Sequence, residues 1–131
     1  MARTVLVVDD SSSMRALLGV ALRSAGFAVV EARDGKEGLE KLLCTRVDLV
    51  VSDCIMPVMD GISFVRALKE RPDLSHLPII MLTTESQEAQ IMEGRSLGVQ
   101  AWIIKPFKTE QLIEAVRRVL PLAQGQGRGQ G

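Results

Sequence analysis

The amino-acid sequence predicts an α/β domain in three layers, with a parallel β-sheet between two layers of helices. Five short apolar runs recur along the 131 residues, with segments of helical periodicity between them. Four of the runs are continuously apolar, which is typical of parallel strands buried on both faces. Fivefold strand–helix alternation favours one sheet with right-handed crossovers. The runs begin near Val5, Ala28, Leu49, Ile79 and Ala101.

The first two helices are predicted from an apolar face and from residues that favour helix ends. Gly26 stands where the first helix ends. Asp34 is placed to cap the second helix, with Glu37 three residues later as its partner in a capping box. The inward face of the first helix consists of Met14, Leu17, Leu18, Ala21, Leu22 and Ala25.

The other three helices are predicted from their apolar spacing and from the prolines that end two of them. The third extends from Ile62 to Arg71 and ends before a proline. The fourth, about Ser86 to Leu97, has a thin apolar stripe that Gly94 interrupts. The fifth has Thr109 as its cap and ends at the next proline. Its inward face consists of Leu112, Ile113, Val116, Val119 and Leu120.

Composition indicates one compact domain, because 47% of the residues are hydrophobic. Sixteen basic residues balance sixteen acidic ones, which argues against nucleic acid as a direct partner. The apolar runs are too short to span a bilayer, and no signal-peptide pattern is visible. We therefore expect a cytoplasmic protein, with Cys44 and Cys54 as reduced thiols.

The predicted domain covers residues 1–122, and residues 123–131 form a tail rich in Gly and Gln. Such a tail cannot bury apolar surface, so we expect it to be disordered. It is either a native tail or the start of a linker to a further segment.

Polar residues follow four of the five predicted strands. Asp9 and Asp10 follow the first, Asp53 the third, Thr83 the fourth and Lys105 the fifth. Ligands bind beyond the carboxyl ends of the strands in an open α/β sheet. If the second strand is at the edge, in the order 2-1-3-4-5, the four polar strand ends converge on one pocket.

Three carboxylates this close would raise one another's pKa values unless a cation lay between them. Mg²⁺ fits, because it binds carboxylates and completes its coordination with water and phosphate oxygens. Thr83 can donate to such a phosphate and Lys105 can neutralise it. The pattern thus predicts phosphoryl transfer with a carboxylate nucleophile. Each residue alone could be a helix cap, a turn residue or a solvated charge, but coincidence at four strand ends argues for function.

Four segments resemble the receiver domain of bacterial two-component response regulators: VLVVDDSSSMR (5–15), DCIMPVMDG (53–61), IIMLTTE (79–85) and WIIKPF (102–107). The resemblance covers residues 4 to about 121. The beginning of the chain and Trp102 are similar to the single-domain, CheY-type chemotaxis regulators. The implied fold is flavodoxin-like, a (βα)5 sandwich with the strand order 2-1-3-4-5.

The resemblance also implies roles for individual residues. Asp53 is the implied phosphoacceptor and receives its phosphoryl group from a histidine kinase. The implied Mg²⁺ ligands are the Asp10 and Asp53 carboxylates, Asp9 mainly through water, and the Ile55 backbone carbonyl. Lys105 is implied to pair with the phosphoryl group, with a cis peptide bond to the following proline.

Thr83 and Trp102 are the implied switch pair. Their movement would change the surface formed by the fourth helix, the fifth strand and the fifth helix, to which a downstream protein binds. Ile55 and Glu85 flank the pocket, at positions that tune the acyl-phosphate lifetime in this family.

Three alternatives remain at the sequence level. A haloacid dehalogenase-like phosphatase also uses Asp, Mg²⁺, Thr and Lys, but its nucleophile lies in an Asp-x-Asp pattern after the first strand. The chain could be the receiver part of a longer regulator whose output domain is missing, or a pseudo-receiver that acts as a scaffold. The favoured interpretation is a signalling switch that catalyses only its own phosphorylation and dephosphorylation.

Overall fold

The computed structural model describes residues 2–84 and 86–120, in which five strands alternate with five helices. All neighbouring strands pair in parallel, in the order β2-β1-β3-β4-β5. This confirms the predicted fold and strand order. The elements are β1 Thr4–Val8, α1 Ser12–Ser24, β2 Ala28–Ala32, α2 Gly35–Cys44, β3 Leu49–Asp53, α3 Gly61–Lys69, β4 Ile79–Thr83, α4 Glu88–Ser96, β5 Ala101–Ile104 and α5 Thr109–Val119.

Helices cover both faces of the sheet, which explains the continuously apolar strands. In β1, Leu6 and Val8 pack on the face covered by α2 and α3, whereas Val5 and Val7 pack on the face of α1 and α5. Every residue of β3 and β4 is buried. Because these central strands are parallel, their carboxyl ends lie at the same edge of a desolvated sheet.

The predicted end of the third helix and the predicted cap of the fifth were placed wrongly. The third helix ends at Lys69, not Arg71, because the Arg71 N–H donates to the Leu68 carbonyl in a tight turn. The fifth helix is capped by Lys108, not Thr109, and the Lys108 N–H donates to the Gln111 side chain at 2.9 Å.

The predicted capping box of α2 is half right. Asp34 accepts from the Glu37 N–H at 2.8 Å, as expected for the N-cap. The Glu37 carboxylate, however, accepts from the Arg33 N–H, one residue before the cap. The start of the helix is thus secured by two reciprocal bonds, one of them displaced by one residue.

The fourth helix is shorter than predicted. It begins at Glu88, not Ser86, because the Gln87 N–H closes a turn onto the Thr84 carbonyl at 3.2 Å. The predicted tail lies outside the described residues. Within the two described ranges, no helix is both long and apolar enough to cross a membrane.

Candidate functional site

Three carboxylates meet at the carboxyl edge of the sheet. Asp9 and Asp10 follow β1, and Asp53 is the last residue of the neighbouring β3. One oxygen from each lies within 4.8 Å of the others. Asp9 and Asp53 are buried, whereas Asp10 is exposed. The predicted convergence of these residues is confirmed, and the set offers the hard oxygen ligands that Mg²⁺ prefers.

The carboxylate of Asp9 lies in an electrostatically unfavourable environment. Burial raises its pKa above the ordinary value; the Ser11 N–H opposes this, and the neighbouring Asp53 adds to it. Its Oδ1 accepts from the Ser11 N–H at 2.9 Å. Its Oδ2 is buried, and no group in residues 2–84 or 86–120 donates to it. A buried anionic oxygen without a donor is costly, and a bound cation would relieve that cost.

Lys105 is directed at the carboxylate of Asp53. Its Nζ donates to Asp53 Oδ1 at 2.9 Å, and the same oxygen accepts from the Cys54 N–H at 2.9 Å. The Lys105 N–H donates to the Thr83 carbonyl at 2.7 Å, which fixes the lysine just past β5. The bond to Pro106 is cis, as the resemblance implied. The Asp53 carboxylate in the pocket thus already has the positively charged Lys105 ammonium beside it.

Gly61 allows α3 to begin directly against the end of β3. A Cβ atom at this position would lie 2.3 Å from the Asp53 carbonyl oxygen and 2.9 Å from Cys54 Cα. Its N–H donates to the Cys54 carbonyl at 2.8 Å, and Asp60 caps the helix by accepting from the Ser63 N–H. The Asp-Gly pair therefore fixes the backbone immediately after Asp53.

The hydroxyl of Thr83 is held by the turn that leads into α4. Thr83 is fully buried, and its Oγ1 donates to the side-chain carbonyl of Gln87, with the Thr84 carbonyl 3.2 Å away. The Thr84 N–H donates to the same Gln87 oxygen at 2.9 Å. No sequence pattern pointed to Gln87, because its role depends on how this turn folds.

Trp102 lies beside Met81 in the sheet, on the same face as α4. Its ring contacts the backbone of α4 closely, since a Cβ atom at Gly94 would lie 2.4 Å from ring atom Cζ2. The indole Nε1 is buried, and within the described residues it has no hydrogen-bond partner. Thr83 and Trp102 are therefore both connected to α4, one at its start and one near its middle.

The loop between β3 and α3 contains Ile55, whose side chain is 48% exposed. In the same loop, Val58 adopts a φ of 68°, which is strained for a β-branched residue. The assignment of the Ile55 carbonyl as a metal ligand stays a prediction. Glu85, predicted to flank the pocket, lies outside the described residues.

Comparison with known proteins assigns the fold and pocket to a family. Residues 5–117 match the family described as the response regulator receiver domain. This chain belongs to that family. Receiver domains are phosphorylation-dependent switches of two-component systems, and not enzymes in the usual sense. They interact with histidine kinases and downstream targets. This finding favours the switch over the phosphatase alternative.

Three relatives illustrate the similarity. Chemotaxis protein CheY of Pseudomonas aeruginosa is 37% identical over 122 residues, which are 92% of this chain and 98% of that protein. The structure of chemotaxis response regulator CheY4 of Vibrio cholerae matches with a TM-score of 0.85 and 40% identity, over 91% of this chain and 99% of that one. The receiver domain of sensor histidine kinase PA1611 from Pseudomonas aeruginosa, described with magnesium in its active-site cleft, matches with a TM-score of 0.81 and 27% identity, over 90% and 97%.

Proposed function

We propose that this protein accepts a phosphoryl group on Asp53 from the phosphohistidine of a histidine kinase. The observation that carries the proposal is the pocket itself: three carboxylates within 4.8 Å, with the Lys105 ammonium 2.9 Å from Asp53. Of the three acids, Asp53 lies at the end of the central strand and is the one that contacts the lysine. It is therefore our candidate for the nucleophile.

We assign the metal site to the same residues. Asp10 and Asp53 would bind Mg²⁺ directly, Asp9 mainly through water, and Ile55 through its backbone carbonyl. The acidic cluster suits a hard divalent cation, and so does the buried Asp9 Oδ2, to which no group in the described part of the chain donates. When bound, Mg²⁺ supplies positive charge that offsets the carboxylates and the phosphoryl oxygens.

The transfer needs little from the protein beyond orientation and charge. An Asp53 carboxylate oxygen attacks phosphorus, the P–N bond to the kinase imidazole breaks, and the electron pair stays on that imidazole nitrogen. Lys105, already beside Asp53, neutralises charge on the phosphoryl oxygens. Attack by water on the acyl phosphate later restores the carboxylate and releases inorganic phosphate. These self-reactions are the only catalysis we assign to the chain.

The switch we propose begins at Thr83. Its hydroxyl would exchange Gln87 for a phosphoryl oxygen, which would loosen the turn at the start of α4 and allow Trp102 to move. The surface of α4, β5 and α5 would then bind a downstream protein. On this surface Met92 and Ile104 are 70% and 45% exposed, and α4 buries little of itself. Apolar side chains left exposed in this way suit a protein partner.

The remaining assignments follow from this role. We place the protein in the cytoplasm, where it acts without nucleic acid as a direct ligand, and assign the receiver unit to residues 1–122. The balanced charge of sixteen basic and sixteen acidic residues supports a protein partner over DNA.

The phosphoacceptor assignment is tested by intact mass after treatment with acetyl phosphate. Wild type should gain one phosphoryl group when Mg²⁺ is present and none when EDTA replaces it. Asp53→Asn should gain none, because an amide is a poor nucleophile. Asp60→Asn is the matched control, since Asp60 caps α3 and is not part of the acidic cluster; it should be labelled as wild type is. Labelling of Asp53→Asn would mean that another residue is the acceptor.

A further inference from the structure

Arg15 connects the acidic pocket to the edge of the sheet. It lies in the first turn of α1, and its side chain is only 18% exposed. Its Nη1 donates to the main-chain carbonyl of Asp9 at 2.6 Å, and its Nε donates to Glu31 Oε1 at 3.2 Å. Glu31 belongs to β2. One planar guanidinium therefore spans the helix, the turn that carries the carboxylates and the edge strand.

The carbonyl that Arg15 binds belongs to the peptide group between Asp9 and Asp10. The orientation of this peptide determines where the Asp10 carboxylate points relative to Asp9. The other side of Asp9 is already fixed, because its N–H donates to the Ala32 carbonyl at 3.0 Å and its Oδ1 accepts from the Ser11 N–H. Arg15 supplies a hydrogen bond to the carbonyl of this peptide, and that bond opposes rotation of the peptide.

We propose that Arg15 is a positioning residue for the metal site. It holds the Asp9–Asp10 peptide in the arrangement that brings the three carboxylates together before the cation binds. Glu31 orients the guanidinium and balances its charge, so the Arg15–Glu31 ion pair adds little net charge to the pocket. The inference rests on the proposed function, because it takes the three carboxylates as a magnesium site.

Positioning and simple electrostatics predict opposite effects when Arg15 is replaced. A positive charge near a cation site repels Mg²⁺, so its removal alone would tighten binding. Loss of an outer contact that orients a ligand weakens metal binding instead, typically by about 10-fold or more. The sign of the change therefore distinguishes the two roles.

The test measures Mg²⁺ affinity by isothermal titration calorimetry on the full chain. Arg15→Met should bind about 10-fold more weakly than wild type. The Mg²⁺ concentration for half-maximal labelling by acetyl phosphate should rise by a similar factor.

Arg23→Met is the matched control. Arg23 also lies on α1, with its Nη2 3.9 Å from Glu31 Oε2, and within the described residues it makes no hydrogen bond to the Asp9 carbonyl. Its Mg²⁺ affinity should stay within about twofold of wild type, as expected for an exposed ion pair.

Unchanged or tighter Mg²⁺ binding by Arg15→Met, in a preparation whose wild type is phosphorylated, would overturn this inference and leave the proposed function intact. A wild type that neither binds Mg²⁺ nor gains a phosphoryl group would overturn both. If Arg15→Met does not fold, Arg15→Lys and Arg23→Lys decide the question. A compact ammonium keeps the charge but cannot span both partners of Arg15. Arg15→Lys should therefore bind Mg²⁺ several-fold more weakly than Arg23→Lys. Equal affinities would overturn the inference.

Discussion

At the scale of single residues, burial of the Asp9 carboxylate in the acidic pocket lowers the stability of the folded chain. Asp9 is 1% exposed, and its Oδ2 has no donor among residues 2–84 and 86–120. Burial, its largest influence, raises its pKa. The folded chain therefore holds the Asp9 proton more tightly than the unfolded chain does. This tighter proton binding stabilises the folded chain at low pH. As pH rises from about 3.9 through the raised pKa, wild type should lose that stabilisation.

Asp9→Asn removes this penalty. Without Mg²⁺ at pH 7, we expect a higher free energy of unfolding than for wild type, measured by urea titration. The advantage should shrink as pH falls through the raised pKa and should be lost below about 3.9, where the wild-type carboxyl becomes protonated in both states. With Mg²⁺ at about 100 times its Kd, wild type should gain about 2.7 kcal/mol and the variant clearly less.

Asp10→Asn is the control for charge alone. It removes one negative charge from the same cluster, but Asp10 is exposed and its solvation changes little on folding. Its effect without Mg²⁺ should be smaller than that of Asp9→Asn. Equal free energies of unfolding for wild type and Asp9→Asn at pH 7 would show that burial of the Asp9 carboxylate does not destabilise the protein.

At the scale of elements, α4 is the helix least committed to the core. Gly94 is its only buried residue within the described part of the chain, and it sits directly over the Trp102 ring. The sequence suggested that this glycine simply weakens the helix. In the structure it also provides the space that the tryptophan occupies. A residue that costs helix propensity therefore allows close packing of α4 on β5.

Gly94→Ala should destabilise the protein although alanine is the better helix former. The added methyl would lie 2.4 Å from Trp102 Cζ2 and 2.5 Å from Cη2, so the ring or the helix must shift, at a cost of about 1–3 kcal/mol. Urea unfolding measures the loss, and Trp102 emission should change with it.

Gly19→Ala is the matched substitution within α1. Its new methyl would come closest to the flexible end of Arg23, at 3.0 Å, and would be in ordinary van der Waals contact with Glu31 Oε2, at 3.9 Å. We expect it to be neutral or to stabilise by up to about 1 kcal/mol, since alanine exceeds glycine in helix propensity. Similar effects of the two substitutions would show that the Trp102 contact does not constrain α4.

Features that depend on the order of the elements could be predicted from the sequence. Asp9, Asp10, Asp53 and Lys105 were expected together because parallel strands present their carboxyl ends at one edge, and the structure confirms this. The cap of α5 was misplaced because local bonds of the backbone set such ends. The partners of Arg15, Gln87 and Trp102 could not be predicted, since each depends on how side chains from separate elements pack.

At the scale of the whole molecule, the pocket and the proposed partner surface share α4. Gln87, at the start of the helix, binds the Thr83 hydroxyl, and Gly94 contacts Trp102. Arg66 of α3 forms an ion pair with Glu93 of α4 on the outer side. A change at Thr83 would thus act on a helix that buries little of its surface. Among the residues that the structure describes, no group accepts from the indole N–H, so no hydrogen bond there opposes movement of the ring.

Trp102 provides a direct test of this coupling, because it is the single tryptophan and the chain has no tyrosine. Addition of Mg²⁺ and beryllofluoride, a mimic of the phosphoryl group, should change the intrinsic emission. Asp53→Asn should abolish the response, since the mimic needs that carboxylate. Thr83→Ala should bind the mimic but respond weakly, because the hydroxyl that links pocket and helix is missing. Fluorine NMR establishes whether the mimic is bound in each sample, and we expect bound mimic in wild type and Thr83→Ala but not in Asp53→Asn. Unchanged emission from wild type with bound mimic would exclude Trp102 as a moving part. The membership of the chain in the receiver family would still stand.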